Sequence, residues 1–271
     1  NNINALPYHA GLDAKTRAGN QDKFLMEEAD VIVATIAFGM GIDKPDVRFI
    51  IHYDVPKSLE GYYQETGRSG RDGLEGDCLL FFNPKDTEKL EKFLKDKPVA
   101  EREIGTQLIA EMAYFAESSQ CRRKSLLHYF GETFDSDDCN KMCDNCRHPR
   151  ETEEVTEQLL QVLKTIEFTA GKVGIKHVIE VLSGKRSQDV KAYKHDTHEL
   201  FGVGKDKSSN FWKTLIRYAH INNLIVKNIE QYGLLSISDK GREFIANPSK
   251  VEVAQDREFS SVNDEDFEKI D

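Results

Sequence analysis

The chain has 271 residues, with 37 Lys and Arg against 47 Asp and Glu and a formal net charge of −10. At about 100–200 residues per domain, that length fits two domains or three small ones. Hydrophobic residues make up 39% and charged residues 31%, which allows a core, while no apolar run approaches the ~20 residues of a membrane span. No basic-then-apolar leader opens the chain; it begins Asn1-Asn2-Ile3-Asn4 and reads as an excised piece. Taken whole, the acidic balance argues against a nucleic-acid partner. Taken by region it does not. Residues 1–154 carry 20 basic and 29 acidic side chains, residues 155–249 carry 14 and 10, and residues 250–271 carry 3 and 8. A segment of net +4 therefore lies between two acidic ones.

Along the chain, residues 6–10 read as the stub of a first strand, and Asp13–Glu28 as a helix. Residues 30–35, 47–53 and 76–82 are short apolar runs that suit buried parallel strands, with a helix over Ser58–Gly67. This rhythm predicts a parallel sheet covered by helices. From Ala100 to Glu132 the pattern turns helical, with Ile104, Leu108, Met112 and Phe115 three or four residues apart. Val155–Glu167, Ile175–Leu182 and Ser187–Tyr193 predict three more helices. A fourth follows Ser208, with Phe211, Trp212, Leu215, Ile216 and Ala219 on one apolar face. Residues 224–229 and 234–238 predict a β-hairpin, which completes the rhythm of a winged helix. Residues 249–271 read as an acidic flexible tail.

Cys121, Cys139, Cys143 and Cys146 stand in C-x17-C-x3-C-x2-C spacing, and Cys78 stands apart in an apolar strand as a core residue. Four thiolates suit a tetrahedral structural Zn2+ with no open position. Two disulfides are the competing assignment, but nothing marks the chain as secreted. His128 and His148 could substitute as ligands, yet four thiols leave no vacancy.

The segment Gln64-Glu65-Thr66-Gly67-Arg68-Ser69-Gly70-Arg71-Asp72-Gly73 places two arginines three apart, predicted to share one side of a helical turn. Their guanidinium forks suit a transferring phosphoryl group; the plainer reading is a solvated turn paired to Glu65 and Asp72. Upstream, the strand through Thr35 runs into Gly39-Met40-Gly41-Ile42-Asp43, a loop whose amides suit phosphate. Asp43 could accept a hydrogen bond from a ribose hydroxyl. Together the two segments resemble motifs V and VI of superfamily-two helicases, specifically those of the RecQ family. Tyr8-His9-Ala10-Gly11-Leu12 resembles that family's preceding motif. The cysteine array with Tyr129-Phe130-Gly131-Glu132 resembles its zinc-binding region. Gly202-Val203-Gly204-Lys205-Asp206-Lys207-Ser208 with Trp212 resembles its winged helix.

The resemblance implies an α/β partial RecA-like lobe over residues 1–97, a helical zinc-binding subdomain over 98–150, and a winged-helix DNA-binding domain over 151–248. It implies part of an ATP-dependent 3′→5′ DNA helicase of repair and recombination, cytoplasmic or nucleoid-associated in a bacterium and nuclear in a eukaryote. Arg71 is then the arginine finger with Arg68 beside it, and Gln64 the nucleotide sensor. Asp43 and Gly41 would face ATP. His9, Gly11 and Thr35 would hold a translocating single strand. Lys205, Lys207 and Ser208 would hold duplex phosphates at a helix N-terminus, and Tyr232 at the hairpin tip would stack on an end base. A first RecA-like lobe, expected as the partner of this one, is missing. No G-x-x-x-x-G-K-[ST] or Asp-Glu-x-His sequence occurs to hold ATP and Mg2+. The chain alone is therefore expected to lack ATPase and unwinding activity. A zinc-containing winged-helix regulator or an inactive scaffold are the alternatives.

Overall fold

The computed structural model describes residues 3–38, 43–229, 231–257 and 259. They divide into two units, residues 1–53 with 60–81, and residues 54–59 with 82–271.

In the first unit, β1 (Ala5–Tyr8) and β2 (Val31–Ala34) pair in parallel, from Ala5 opposite Val31 to Tyr8 opposite Ala34. A parallel pair needs a crossover, which α1 (Ala14–Leu25) supplies. Asp13 starts that helix: its carboxylate accepts from the Thr16 backbone N–H at 2.9 Å and from the Thr16 hydroxyl at 2.7 Å. Next come β3 (Phe49–His52) and β4 (Asp77–Leu80), also parallel, with α2 (Leu59–Thr66) in the connection between them. The strands are thus parallel, as the sequence predicts, but form two separate two-stranded sheets. Each strand is an edge strand, which corrects the reading of Cys78: it is exposed, as are Phe49, Ile51, Leu79 and Phe81 nearby.

The second unit opens with α3 (Pro84–Lys92), started by Pro84 and a capping box between Asn83 and Asp86. It packs against α4 (Val99–Glu117). The helix α5 (Arg122–Tyr129) and the single turn α6 (Asp144–Arg147) follow. After β5 (Thr152–Glu154) come α7 (Thr156–Phe168), α8 (Ile175–Leu182), α9 (Gln188–Ala192) and α10 (Ser209–Ile221). The hairpin β6 (Ile225–Asn228) and β7 (Leu234–Ile237), then α11 (Asp239–Ala246) and β8 (Glu252–Ala254), complete the unit. Its core joins Leu159, Leu163 and Ile166 of α7, Leu182 of α8, Trp212, Leu215 and Ile216 of α10, and Ile225 and Leu235 of the hairpin. Each is essentially inaccessible and contributes about 1.5–3 kcal/mol by leaving water. Three- and four-residue spacing on α7 and α10 puts these side chains on one face. Among the described residues no helix is long and apolar enough to cross a membrane.

By its contacts the helical region groups with the winged helix, in one unit of residues 54–59 and 82–271. One sequence expectation changes here. The start of the expected tail is ordered: β8 pairs antiparallel with β5, Val253 is buried opposite Glu153, and Asp256 is 3% exposed. Val253 of β8 and Val251 just before it, two apart, are both buried, a period-2 signal too brief to stand out from its polar neighbours. The rest of the expected tail, except Phe259, lies outside the described residues.

Candidate functional site

The thiols of Cys121, Cys139, Cys143 and Cys146 lie within 4.8 Å of one another. Cys121 and Cys143 stand at the N-caps of α5 and α6, so each helix start aims a sulfur inward. Asn140 and Lys141, at φ 49° and 59°, turn the chain back between Cys139 and Cys143. The Cys143–Cys121 sulfur separation is 4.0 Å, far beyond a disulfide at ~2.05 Å. It is near the edge of about 3.8 Å expected for a tetrahedron with ~2.3 Å Zn–S bonds. Burial, then the neighbouring thiols, push the Cys146 thiol up; four thiols this close can all ionise only when a divalent cation offsets their charge. The donor set and spacing fit zinc. Among the described residues no histidine joins the group. His128 instead bonds Asn223 at 3.1 Å.

In the first unit, Arg68 and Arg71 lie beyond the end of α2, in tight turns rather than on the helical turn the spacing suggested. The Gly70 N–H donates to Val47 O at 3.0 Å and the Asp72 N–H to Pro45 O at 3.1 Å, tying this loop to residues 45–48. Gly70 has φ +65°, and a Cβ there would sit 2.4 Å from Leu74 O, so only glycine serves. Arg71 donates through Nε to Gly67 O at 3.2 Å and through Nη1 to Asp43 Oδ1 at 2.8 Å. Asp43 and Arg71 are thus brought together across 28 residues. With side chains 83% and 41% exposed, the pair is worth at most about 1 kcal/mol. Its guanidinium can exchange that carboxylate for a phosphate at little cost. Of the two carboxylates in the plainer reading of this turn, Glu65 bonds buried His52 at 2.7 Å and Asp72 bonds Arg48. Gln64 is exposed on α2, and Gly41 lies outside the described residues.

The loops after β1 and β2 meet. The Thr35 N–H donates to Tyr8 O at 3.2 Å, which sets Thr35 beside His9, and Leu12 N–H closes a turn on His9 O at 3.1 Å around Gly11. Both loops leave the carboxyl ends of parallel strands, where α/β sheets bind ligands.

In the winged helix, Ser208 caps α10 by accepting from the Phe211 N–H at 3.1 Å. Lys207 lays its ammonium over the Phe211 ring, 4.8 Å from the centroid, and Lys205 is exposed. Trp212 fixes this entry by donating from Nε1 to Gly204 O at 3.2 Å. Tyr232 is 57% exposed at the hairpin turn.

Sequence reading did not find the polar seam inside the second unit. Arg217 of α10 binds Glu117 and Asp256. Asp256 also accepts from the Ser119 N–H at 3.0 Å. Arg257 reaches Asp144, inside the cysteine knuckle, at 3.0 Å. Partners 100 or more residues apart, such as Glu117 and Arg217, leave no local signal.

A parallel-stranded lobe, a four-cysteine centre and a winged helix in this order define the carboxyl-terminal part of a helicase. The family model for the helicase conserved C-terminal domain matches residues 1–73, that for RecQ zinc-binding residues 84–147, and that for the RQC domain residues 149–262. The ATP-dependent DNA helicase RecQ of Pasteurella multocida is 42% identical over 216 residues, 79% of this chain and 34% of that protein. The RecQ of Haemophilus influenzae is 37% identical over 94% of this chain and 41% of its own length. The ATP-dependent helicase SGS1 of Saccharomyces cerevisiae is 37% identical over 90% of this chain and 17% of its own. The chain belongs to the RecQ family, of which it carries the C-terminal helicase region. It spans less than half the length of these relatives.

Proposed function

We propose that this chain is the second motor lobe and duplex-docking part of an ATP-dependent 3′→5′ DNA helicase. One observation carries the reading: an exposed Arg71, held by a weak pair with Asp43 and one hydrogen bond to Gly67 O, on a loop braced by backbone hydrogen bonds. Such an arginine is poised to meet the γ-phosphate of an ATP bound, with Mg2+, mainly by another lobe. Arg68 and Gln64 assist it, and Asp43, once released, faces the ribose. His9, Gly11 and Thr35 hold the single strand, while Lys205, Lys207 and Ser208 hold a duplex. Zinc held by the four cysteines cross-links α5 to α6 and does no chemistry.

The chain contains no G-x-x-x-x-G-K-[ST] sequence, and on this reading it does not hydrolyse ATP alone. In the whole protein, Arg71→Ala lowers the DNA-stimulated kcat by about 10³-fold or more and leaves single-strand affinity in place. An unchanged kcat overturns the reading, as does ATPase activity of the 271-residue chain that Arg71→Ala abolishes. A zinc-containing winged-helix regulator would leave Arg68 and Arg71 without work.

A further inference from the structure

The hairpin of the winged helix leans on α4. Lys227 in β6 bonds Glu111 at 2.5 Å, and the two side chains are only 4% and 10% exposed. Tyr114 offers its ring to the same ammonium at 5.4 Å and to Arg217 at 4.5 Å. Gln107 stands behind the hairpin turn: a Cβ on Gly233 would lie 2.5 Å from Gln107 Oε1. Gln107, Glu111 and Tyr114 are four and three residues apart, one face of one helix. Lys227 is therefore no phosphate ligand, although its charge and position in the hairpin suggest one.

Ile225 and Leu235 anchor the four-residue strands in the core, but the turn beyond them has only its two strands to stiffen it, and an isolated hairpin is marginal. Its turn is also contorted, with Tyr232 and Gly233 at φ 57° and 73°. A duplex end pressing on Tyr232 would bend a turn with nothing behind it instead of parting the base pair. We infer that α4 is the backstop of the hairpin, and that Gln107 and Glu111 are positioning residues that hold Tyr232 against a duplex end. This rests on the reading of the hairpin as duplex-facing.

The test uses the chain with a duplex that carries 2-aminopurine in its last base pair, next to a 3′ single-stranded extension. Binding of the unaltered chain raises the fluorescence as the base unstacks. Tyr232→Ala lowers that gain about fivefold or more, the size of one lost base–aromatic stack. Gln107→Ala and Glu111→Gln each lower it roughly twofold or more, with duplex affinity by anisotropy unchanged. Gln107→Ala keeps the thermal midpoint of the parent, which separates positioning from folding. If Tyr232→Ala lowers the gain and Gln107→Ala does not, the backstop is wrong and the duplex-facing hairpin stands. If Tyr232→Ala has no effect, or the unaltered chain gives no gain, both fall.

Discussion

Arg217 and Asp256, 39 residues apart, form an ion pair whose side chains are 7% and 2% exposed. The pair pins the segment after the winged helix onto α10, and Ser119 and Glu117 on the zinc side complete it. Asp256→Ala leaves a buried guanidinium poorly compensated and costs about 3–5 kcal/mol. Replacing both partners, Arg217→Met with Asp256→Leu, costs much less, because no charge is stranded. Urea unfolding followed by Trp212, the one tryptophan of the chain, separates the two outcomes.

His220 carries the acid sensitivity of the same unit. Burial, well ahead of nearby charges, pushes it down to about 4, and burial lowers neighbouring His128 too. An unfolded histidine titrates near 6.5, so between those values the unfolded chain takes a proton that the folded chain refuses. The stabilisation is whole above about pH 6.5 and is lost as pH falls toward 4, about 2 kcal/mol of it by pH 5. His220→Gln flattens the fall in urea midpoint between pH 7 and 5.

Removing one thiol tests the metal. Cys146→Ser reduces bound zinc, measured by atomic emission, from one ion per chain to a small fraction, and lowers the melting temperature by on the order of 10 °C. A chelator does the same to the parent and leaves the variant little changed. Full zinc retention by the variant would disprove the four-thiolate centre.

The surface lysines at the start of α10 are checked by salt. Lys205→Ala with Lys207→Ala reduces the slope of log affinity for duplex against log salt by about 1.8, at ~0.9 per lost phosphate contact. An unchanged slope removes them from the interface.

Much of this molecule is legible in its sequence because its signals are local. Apolar spacing on α7 and α10 is written within one element, and the start of α10 is marked by Ser208. The cysteines lie within 26 residues and meet. Arg71 and Asp43 each stand out in the sequence by their motifs, but nothing local signals their mutual bond at 2.8 Å. What escaped depends on distant partners. Lys227 looks like any hairpin lysine until Glu111, 116 residues earlier, is laid beside it. Asp256 looks like part of an acidic tail until Arg217 faces it. Cys78 sits in an apolar run, but the run is an edge strand of a two-stranded sheet and leaves the thiol exposed. Strand pairing, not local composition, decides burial there.

The closing pair of strands also sets how the molecule bears tension. Thr152 faces Ala254 and Glu154 faces Glu252, so the chain enters and leaves the winged helix side by side at one end of an antiparallel ladder. A pull between residues 151 and 257 loads these hydrogen bonds one rung at a time, as a zipper, and not all together in shear. The buried grip of Arg217 on Asp256 lies just outside that first rung. It is the latch that must slip before the ladder can peel.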